Sequence, residues 1–453
     1  MNSLRHIPFA ISVGKGYSLK NNSSDLVNMY VHIKQEGAKS NHILLNTEGA
    51  EYLTEVEYEI YGTYEFLGVV YIVTSDMLYS YNDTTILFIE IGAVSFDTKV
   101  VFADNGIDMM MVGVNGYAYT PTTSTLKNMN TEDGWYPADT VAYMDGYFIF
   151  NRSGTGQFFI SRLYSTELDP IDWASAESAP DDTVGVAVAN RQLWLFGEKS
   201  TEVWYDSGDP DFPFTRINGA VTDIGCADSK TIAQIRDGIF FVGRDFKVYL
   251  TSGYTPRVIS TPAVNKILEE SEPKKISAFT FYNNTHWFYA LTIDDEYTFV
   301  YDIDSKQWHT RVSCDYNRWF INGTLNRHGD NNLLGFSGKK FYELSTKIFT
   351  EDGTPIRREA ITLPLNDTVN RFLLTEVQLD MDVALNLNAE VTLQISRDGG
   401  RSWGNNNYAY TGKIADREKR VRWLRLGQAR DCILKIVITA PIPIRILGLY
   451  ART

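Results

Sequence analysis

Three short runs decide how this chain folds: Val184-Gly185-Val186-Ala187-Val188, Leu193-Trp194-Leu195-Phe196-Gly197 and Thr201-Glu202-Val203-Trp204-Tyr205. Each is rich in β-branched or aromatic residues, and the breaks between them hold Asn190, Lys199 and Ser200. Runs of this length are too short for helices and have the composition of strands, so Ser178 to Ala263 reads as a meandering antiparallel sheet. A fourth strand is not legible after Tyr205, and the expectation is that the next unit supplies it.

The same unit recurs along the chain. Aligned on its aromatic strand, the copies are Leu78-Tyr79-Ser80-Tyr81, Tyr117-Ala118-Tyr119-Thr120, Phe158-Phe159-Ile160-Ser161, Val203-Trp204-Tyr205-Asp206, Val248-Tyr249-Leu250-Thr251, Phe299-Val300-Tyr301-Asp302 and Phe341-Tyr342-Glu343-Leu344. Their starts lie 39, 41, 45, 45, 51 and 42 residues apart. A second strand precedes each across turn residues such as Ser75-Asp76, Asn115-Gly116 and Ser337-Gly338. That period, with two or more strands per copy, is the spacing of propeller blades. One blade cannot bury both of its faces, so the copies must stack round an axis. The expected fold is all-β: a β-propeller of about seven blades over residues 55–350. A large two-layer meandering sandwich is the alternative arrangement of the same strands.

After the last copy, Thr350-Glu351-Asp352-Gly353-Thr354-Pro355 reads as a linker, and the pattern changes. Alternation in Val377-Gln378-Leu379-Asp380-Met381 and Val391-Thr392-Leu393-Gln394-Ile395 is that of half-buried strands. Residues 351–453 are therefore expected to form a small antiparallel β-sandwich. Residues 1–54 are expected to pack on it, the two together making a platform.

Bulk properties narrow the function classes. With 453 residues, 44% hydrophobic, the chain can bury a large interior, and its 27 Tyr suit strands with one wet face. Neither a signal-like apolar run at Met1 to Pro8 nor a window of about 18 apolar residues is present, so synthesis in a cytosol and no membrane span are expected. Cys226, Cys314 and Cys432 are odd in number and widely spaced, which suits neither a disulfide framework nor a zinc site; all three read as small buried hydrophobes. The net charge of -14 is uneven. From Arg371 onward 13 basic residues face 8 acidic ones, a net +5, whereas residues 1–370 hold 29 against 48, a net -19. Such a body does not grip phosphate. It is compatible with a passage that nucleic acid slides through.

Few stretches carry chemistry. Ser396-Arg397-Asp398-Gly399-Gly400-Arg401-Ser402-Trp403 resembles the Asp-box turn of sialidases. The Asp398 carboxylate can accept backbone N–H groups, Gly400 tolerates a left-handed backbone, and Trp403 packs under the hairpin after Ser396. That is a folding device, and it occurs once, outside the repeats. Function has to be argued from a site, so a sialidase-like catalyst is not expected. His6, His32, His42, His286, His309 and His328 show no metal-ligand spacing, and His286 reads as strand surface or satisfied core. Asp294-Asp295-Glu296 and Glu269-Glu270-Ser271-Glu272 read as solvated turns. Gly14-Lys15-Gly16-Tyr17-Ser18 is too short for a phosphate loop. No catalytic residue, metal or cofactor is expected. The basic run Arg417 to Arg425 stands apart: on a strand Arg420 and Arg422 share one face, with Val421 and Trp423 on the other. Arg420, Arg422 and Arg425 are the candidates for docking an acidic partner or a phosphate backbone.

Several of these stretches together carry a family likeness. Ser178-Ala179-Pro180-Asp181, Leu193 to Trp204, Pro213-Phe214-Thr215-Arg216, Gly219-Ala220, Gly225-Cys226-Ala227 and Gly253 to Thr261 resemble the packaged-DNA stabilisation proteins, or tail nozzles, of short-tailed phages. Leu26-Val27-Asn28-Met29-Tyr30 with Leu44 to Gly49, and Arg422 to Gly427 through Ile438, are similar to that family's two ends. Glu48 departs from it, standing where the family usually has Pro before Gly. The resemblance implies a structural virion protein: a homo-hexameric tube below portal and adaptor that closes the channel after packaging, lets DNA pass at ejection and holds tail spikes or fibres. A glycan-active or glycan-binding tail propeller is the alternative, because the many Tyr and Trp could form a stacking platform.

Overall fold

The central strands read as unbroken apolar runs because alternate side chains enter different cores. Leu193 and Leu195 pack with Phe158 and Ile160, while Trp194 and Phe196 pack with Ile239 and Phe241 on the opposite side. A strand sandwiched this way has no wet face, and that is the geometry of a propeller. The computed structural model describes residues 4–11, 14–15, 23–33, 42–176, 180–236, 238–327, 332–366, 370–382, 388–412 and 420–453. Met1 to Ser3, Gly16 to Ser18, Ser178, Ala179, His328 and Arg417 to Lys419, all used in the sequence reading, lie outside them.

Seven four-stranded blades follow one another. Blade one is Ile60–Phe66, Val69–Thr74, Met77–Asn82 and Leu87–Ala93; blade two is Val101–Asp104, Met109–Gly113, Asn115–Thr120 and Thr125–Asn128. Blade three is Val141–Met144, Tyr147–Arg152, Gln157–Ser161 and Leu168–Ser175. Blade four is Thr183–Ala189, Gln192–Gly197, Thr201–Asp206 and Phe214–Thr222. Its fourth strand is thus its own, correcting the expectation that the next unit supplies one. Bulging between Glu202 and Trp204, and Gly219 at φ +80°, interrupt the alternation that would have revealed it. Blade five is Ala233–Ile235, Gly238–Val242, Val248–Ser252 and Thr255–Val258; blade six is Ile276–Asn283, His286–Ile293, Tyr297–Asp302 and Gln307–Arg311.

Blade seven takes three strands from the end of the repeats, Gly323–Arg327, Asn332–Ser337 and Lys340–Ser345, and its fourth from near the start of the chain. Gly49–Glu55, of which all but Glu55 was read in the sequence as part of segment 1–54, runs antiparallel to Lys340–Ser345. Inner strands of neighbouring blades lie against one another, and Gly323–Arg327 lies against Ile60–Phe66, which closes the ring. Hydrogen bonds stitch the inner strands across blades, from Thr280 Oγ1 to the Gln234 carbonyl (2.8 Å) and from Asn326 Nδ2 to the Tyr282 carbonyl (2.6 Å). One apolar cluster fills each interblade gap, such as Tyr71, Met109 and Tyr119 between blades one and two.

The remaining strands form a two-layer platform. One layer holds Val421–Ala429, Phe372–Met381 and Arg445–Arg452, joined by Arg5–Ile7, His42–Asn46 and Met29–Ile33 from the amino-terminal segment. The other holds Arg358–Ile361, Asp431–Ile438, Glu390–Ser396 and Asn407–Tyr410. Leu26–Val27 bridges Gln307–Arg311 and Arg358–Ile361, so blade six and this layer share one continuous sheet. Val377, Leu393, Trp423 and Leu449 pack between the layers. The stretch read as a linker is instead a short hairpin, Thr350–Glu351 with Thr354–Pro355, held against Ala50 by parallel strand pairing through Glu351. Cys226 and Cys432 are buried, but Cys314, expected with them, is exposed in the connection between blades six and seven.

Candidate functional site

Three places concentrate polar groups. The first is axial. A cavity of about 370 Å³ opens at the connections into blades two and seven, lined by Glu59, Asp97, Lys99, Lys230, Asp295 and Asn322. Lys99 reaches across the ring and donates to the carbonyls of Lys230 (3.2 Å) and Ala278 (2.8 Å). Burial pulls its ammonium down to about 8, with Asp228 opposing that shift. Held by two carbonyls, Lys99 ties blades on opposite sides of the axis.

The second place is the joint between propeller and platform. Arg311, at the end of the outer strand of blade six, is 1% exposed and sits 4.1 Å from the Trp319 ring centroid. It pairs with the Glu48 carboxylate, donates to the Glu48 carbonyl (3.2 Å) and meets Glu351 at 3.4 Å. Glu48 precedes the closing strand of blade seven and Glu351 follows that blade, so one guanidinium gathers three distant segments. Burial raises the Glu351 carboxyl, and Arg311 opposes that rise. Asn28 completes the joint, donating to the carbonyls of Val312 (2.7 Å) and Arg357 (2.8 Å). Beside it His286 is core and satisfied: its Nδ1 donates to Asp302 (2.9 Å), and its Nε2 lies 2.8 Å from His32 Nδ1. Burial pushes the neighbouring His309 down to about 3, with Arg311 adding to the effect.

The third place is the platform surface. Arg420 is exposed ahead of Val421–Ala429, an edge strand on which Arg422 and Arg425 are exposed while Val421 and Trp423 are buried. Simple alternation would put Arg425 with buried Val421 and Trp423; its φ of +59° and the register shift opposite it break that alternation and leave it exposed. On the other layer Asp398 closes its turn: it accepts from the N–H of Arg401 and of Ser402 (3.0 Å each), from Ser396 Oγ (2.7 Å) and from Ser402 Oγ (2.5 Å). Gly400 N–H donates to Ser396 Oγ (2.8 Å). The Ser402 hydroxyl, the Ser402 N–H and the Ser396 hydroxyl hold the Asp398 carboxyl well below the usual carboxylate range. Trp403 is half-buried, with Lys435 Nζ 4.2 Å from its ring centroid. The turn and the arginine strand belong to different layers. Lys99 and Arg311 were not singled out in the sequence; the one signal near them was Glu48, an acid where the resembled family has Pro.

Comparison with known proteins agrees with this architecture at the level of whole domains. Residues 11–321 match the family model described as Bacteriophage P22 Gp10, beta-propeller, and residues 357–453 match Bacteriophage P22 Gp10, beta-sandwich. No curated protein sequence matches the chain. Among solved structures, a chain of the mitotic checkpoint complex is 12% identical, with 69% of this chain and 96% of that one covered and a TM-score of 0.43. The computationally designed Ika8 protein is 12% identical, with 75% and 99% covered and a TM-score of 0.41. PorZ of Porphyromonas gingivalis is 12% identical, with 74% and 44% covered and a TM-score of 0.40. Among the described residues no helix is long and apolar enough to cross a membrane. With both domains matched in order, the chain belongs to the Bacteriophage P22 Gp10 family of structural tail proteins, the tail nozzle or DNA stabilisation proteins of short-tailed phages.

Proposed function

We propose that this chain builds the nozzle of a short-tailed phage tail: six copies form a ring below portal and adaptor, close the channel on the packaged genome, pass DNA at ejection and anchor spikes or fibres. The observation that carries this reading is the match of both domains to the tail family. A rigid scaffold suits it, since the Arg311 joint fuses propeller and platform. The axial cavity, crossed by Lys99 and about 370 Å³ in volume, is far too small for a duplex, so the route runs between copies. A wall drawn from a body of net charge -19 repels phosphate, which keeps friction low and leaves retention to a steric constriction.

The platform faces the adaptor in this reading, and Arg420, Arg422 and Arg425 make the charged contact. Changing all three to Glu should leave ring formation intact and weaken attachment to adaptor-bearing heads about tenfold or more. Unchanged attachment would remove the arginines from the interface. A cryo-EM reconstruction of the adaptor-bound assembly tests the whole proposal; a lumen lined by Lys and Arg would overturn the low-friction part.

A further inference from the structure

The outer strands of a propeller are sheet edges, and edges normally carry protection against pairing with other chains. Six of the seven here have it. Blades two and five end in four-residue strands, one with Lys127, the other with Pro256 and Arg257. Blade three has Pro170 and two Asp in its outer strand, and blade four has Arg216 and a glycine kink. Blade six is covered by Leu26–Val27, and blade seven by Thr350–Glu351. Leu87–Ala93 of blade one, with the sequence LFIEIGA, has neither proline nor a basic residue, and among the described residues nothing pairs with its outer side.

Its exposed face is apolar. Leu87 to Glu90 run in unbroken register with Asn82 to Tyr79, and the strand bulges only near its end. Leu87 is 59% and Ile89 53% exposed, although the row that holds Ile89 also holds Tyr71, buried against blade two. The short outer strand of blade two causes this: its Leu126 covers Gly92 and extends no farther. Phe88, on the opposite face, is packed with Phe341 of blade seven. The result, among the described residues, is an unpaired backbone edge with Leu87 and Ile89 exposed on one side of the strand and Glu90 on the other.

We infer that this edge receives an added β-strand from another protein, an extended cationic segment with apolar residues at alternate positions. Alternate side chains of such a strand would lie beside Leu87 and Ile89, and a Lys or Arg would lie beside Glu90. Charge at the strand itself selects the occupant: a second copy adding the same strand would bring another Glu90 and no basic residue to the seam, whereas a cationic segment would pair with Glu90.

The test uses the full chain and an end-capped peptide of about ten residues alternating Val and Lys, with a Val and Glu peptide as control. Fluorescence anisotropy should show saturable binding of the cationic peptide alone, with amide exchange slowed in Leu87–Ala93. The double variant Leu87→Ser with Ile89→Ser changes exposed side chains and no charge, and should weaken binding about tenfold or more. Equal binding by wild type and double variant would reduce the effect to adsorption on an acidic surface and overturn the proposal. Sedimentation showing that the wild type self-associates and the double variant does not would overturn it too, by assigning the edge to a second copy.

Discussion

At the residue scale, Arg311 is held by Glu48 and Glu351 with hardly any contact to water. Replacing it with Met leaves two buried carboxylates unpaired, so the chain should lose about 3–5 kcal/mol in urea unfolding. Restoring balance with Glu48→Gln and Glu351→Gln should recover much of that loss. Gly49 is a second sensitive point for a different reason. A Cβ there would lie 2.5 Å from the carbonyl oxygens of Ile348 and Thr350, which are backbone and cannot swing away. Gly49→Ala should therefore cost roughly 1–3 kcal/mol in the same measurement. His309 sets a pH dependence. Its folded value, pushed to about 3, lies below the usual 6.5, so between these limits the unfolded chain binds a proton that the folded one does not. Stability contributed by neutral His309 is present above pH 6.5 and is lost as pH falls, by about 1.4 kcal/mol per pH unit. Melting curves from pH 7 to 4 should show that slope, and His309→Gln should flatten it.

At the scale of elements, the ring depends on a strand far from the blade it completes. Removing residues 1–55 takes Gly49–Glu55 from blade seven and uncovers the edge of Lys340–Ser345. The truncated chain should aggregate or melt well below the full-length one in calorimetry; an unchanged transition would contradict the closure. Most blade strands were legible because runs such as Leu193-Trp194-Leu195-Phe196 must be apolar on both faces. The outer strand of blade four was not, because a bulge breaks its alternation. The hairpin at Thr350 to Pro355 was read as a linker because its polar composition is that of a loop; strand pairing with Ala50 and the buried contact of Glu351 with Arg311, neither visible locally, make it part of the fold.

For the whole molecule, the two domains behave as one body. Blade six runs through Leu26–Val27 into the platform sheet, and the Arg311 joint locks the same region from the side. The opposite charges of body and platform then have fixed positions relative to each other, as a part that must seat in a ring requires. Sequence alone determined a blade-like repeat of about seven copies, the change to a sandwich and the likeness to the tail family, because strand period, turn residues and family-like stretches are local properties written in order along the chain; that the blades number seven came from the structure. Only the tertiary structure decided which strand closes blade seven, what neutralises Glu48 and which sheet edge stays open. Each of those joins segments hundreds of residues apart or depends on how far a neighbouring strand extends, and no window of sequence contains both halves of such a contact.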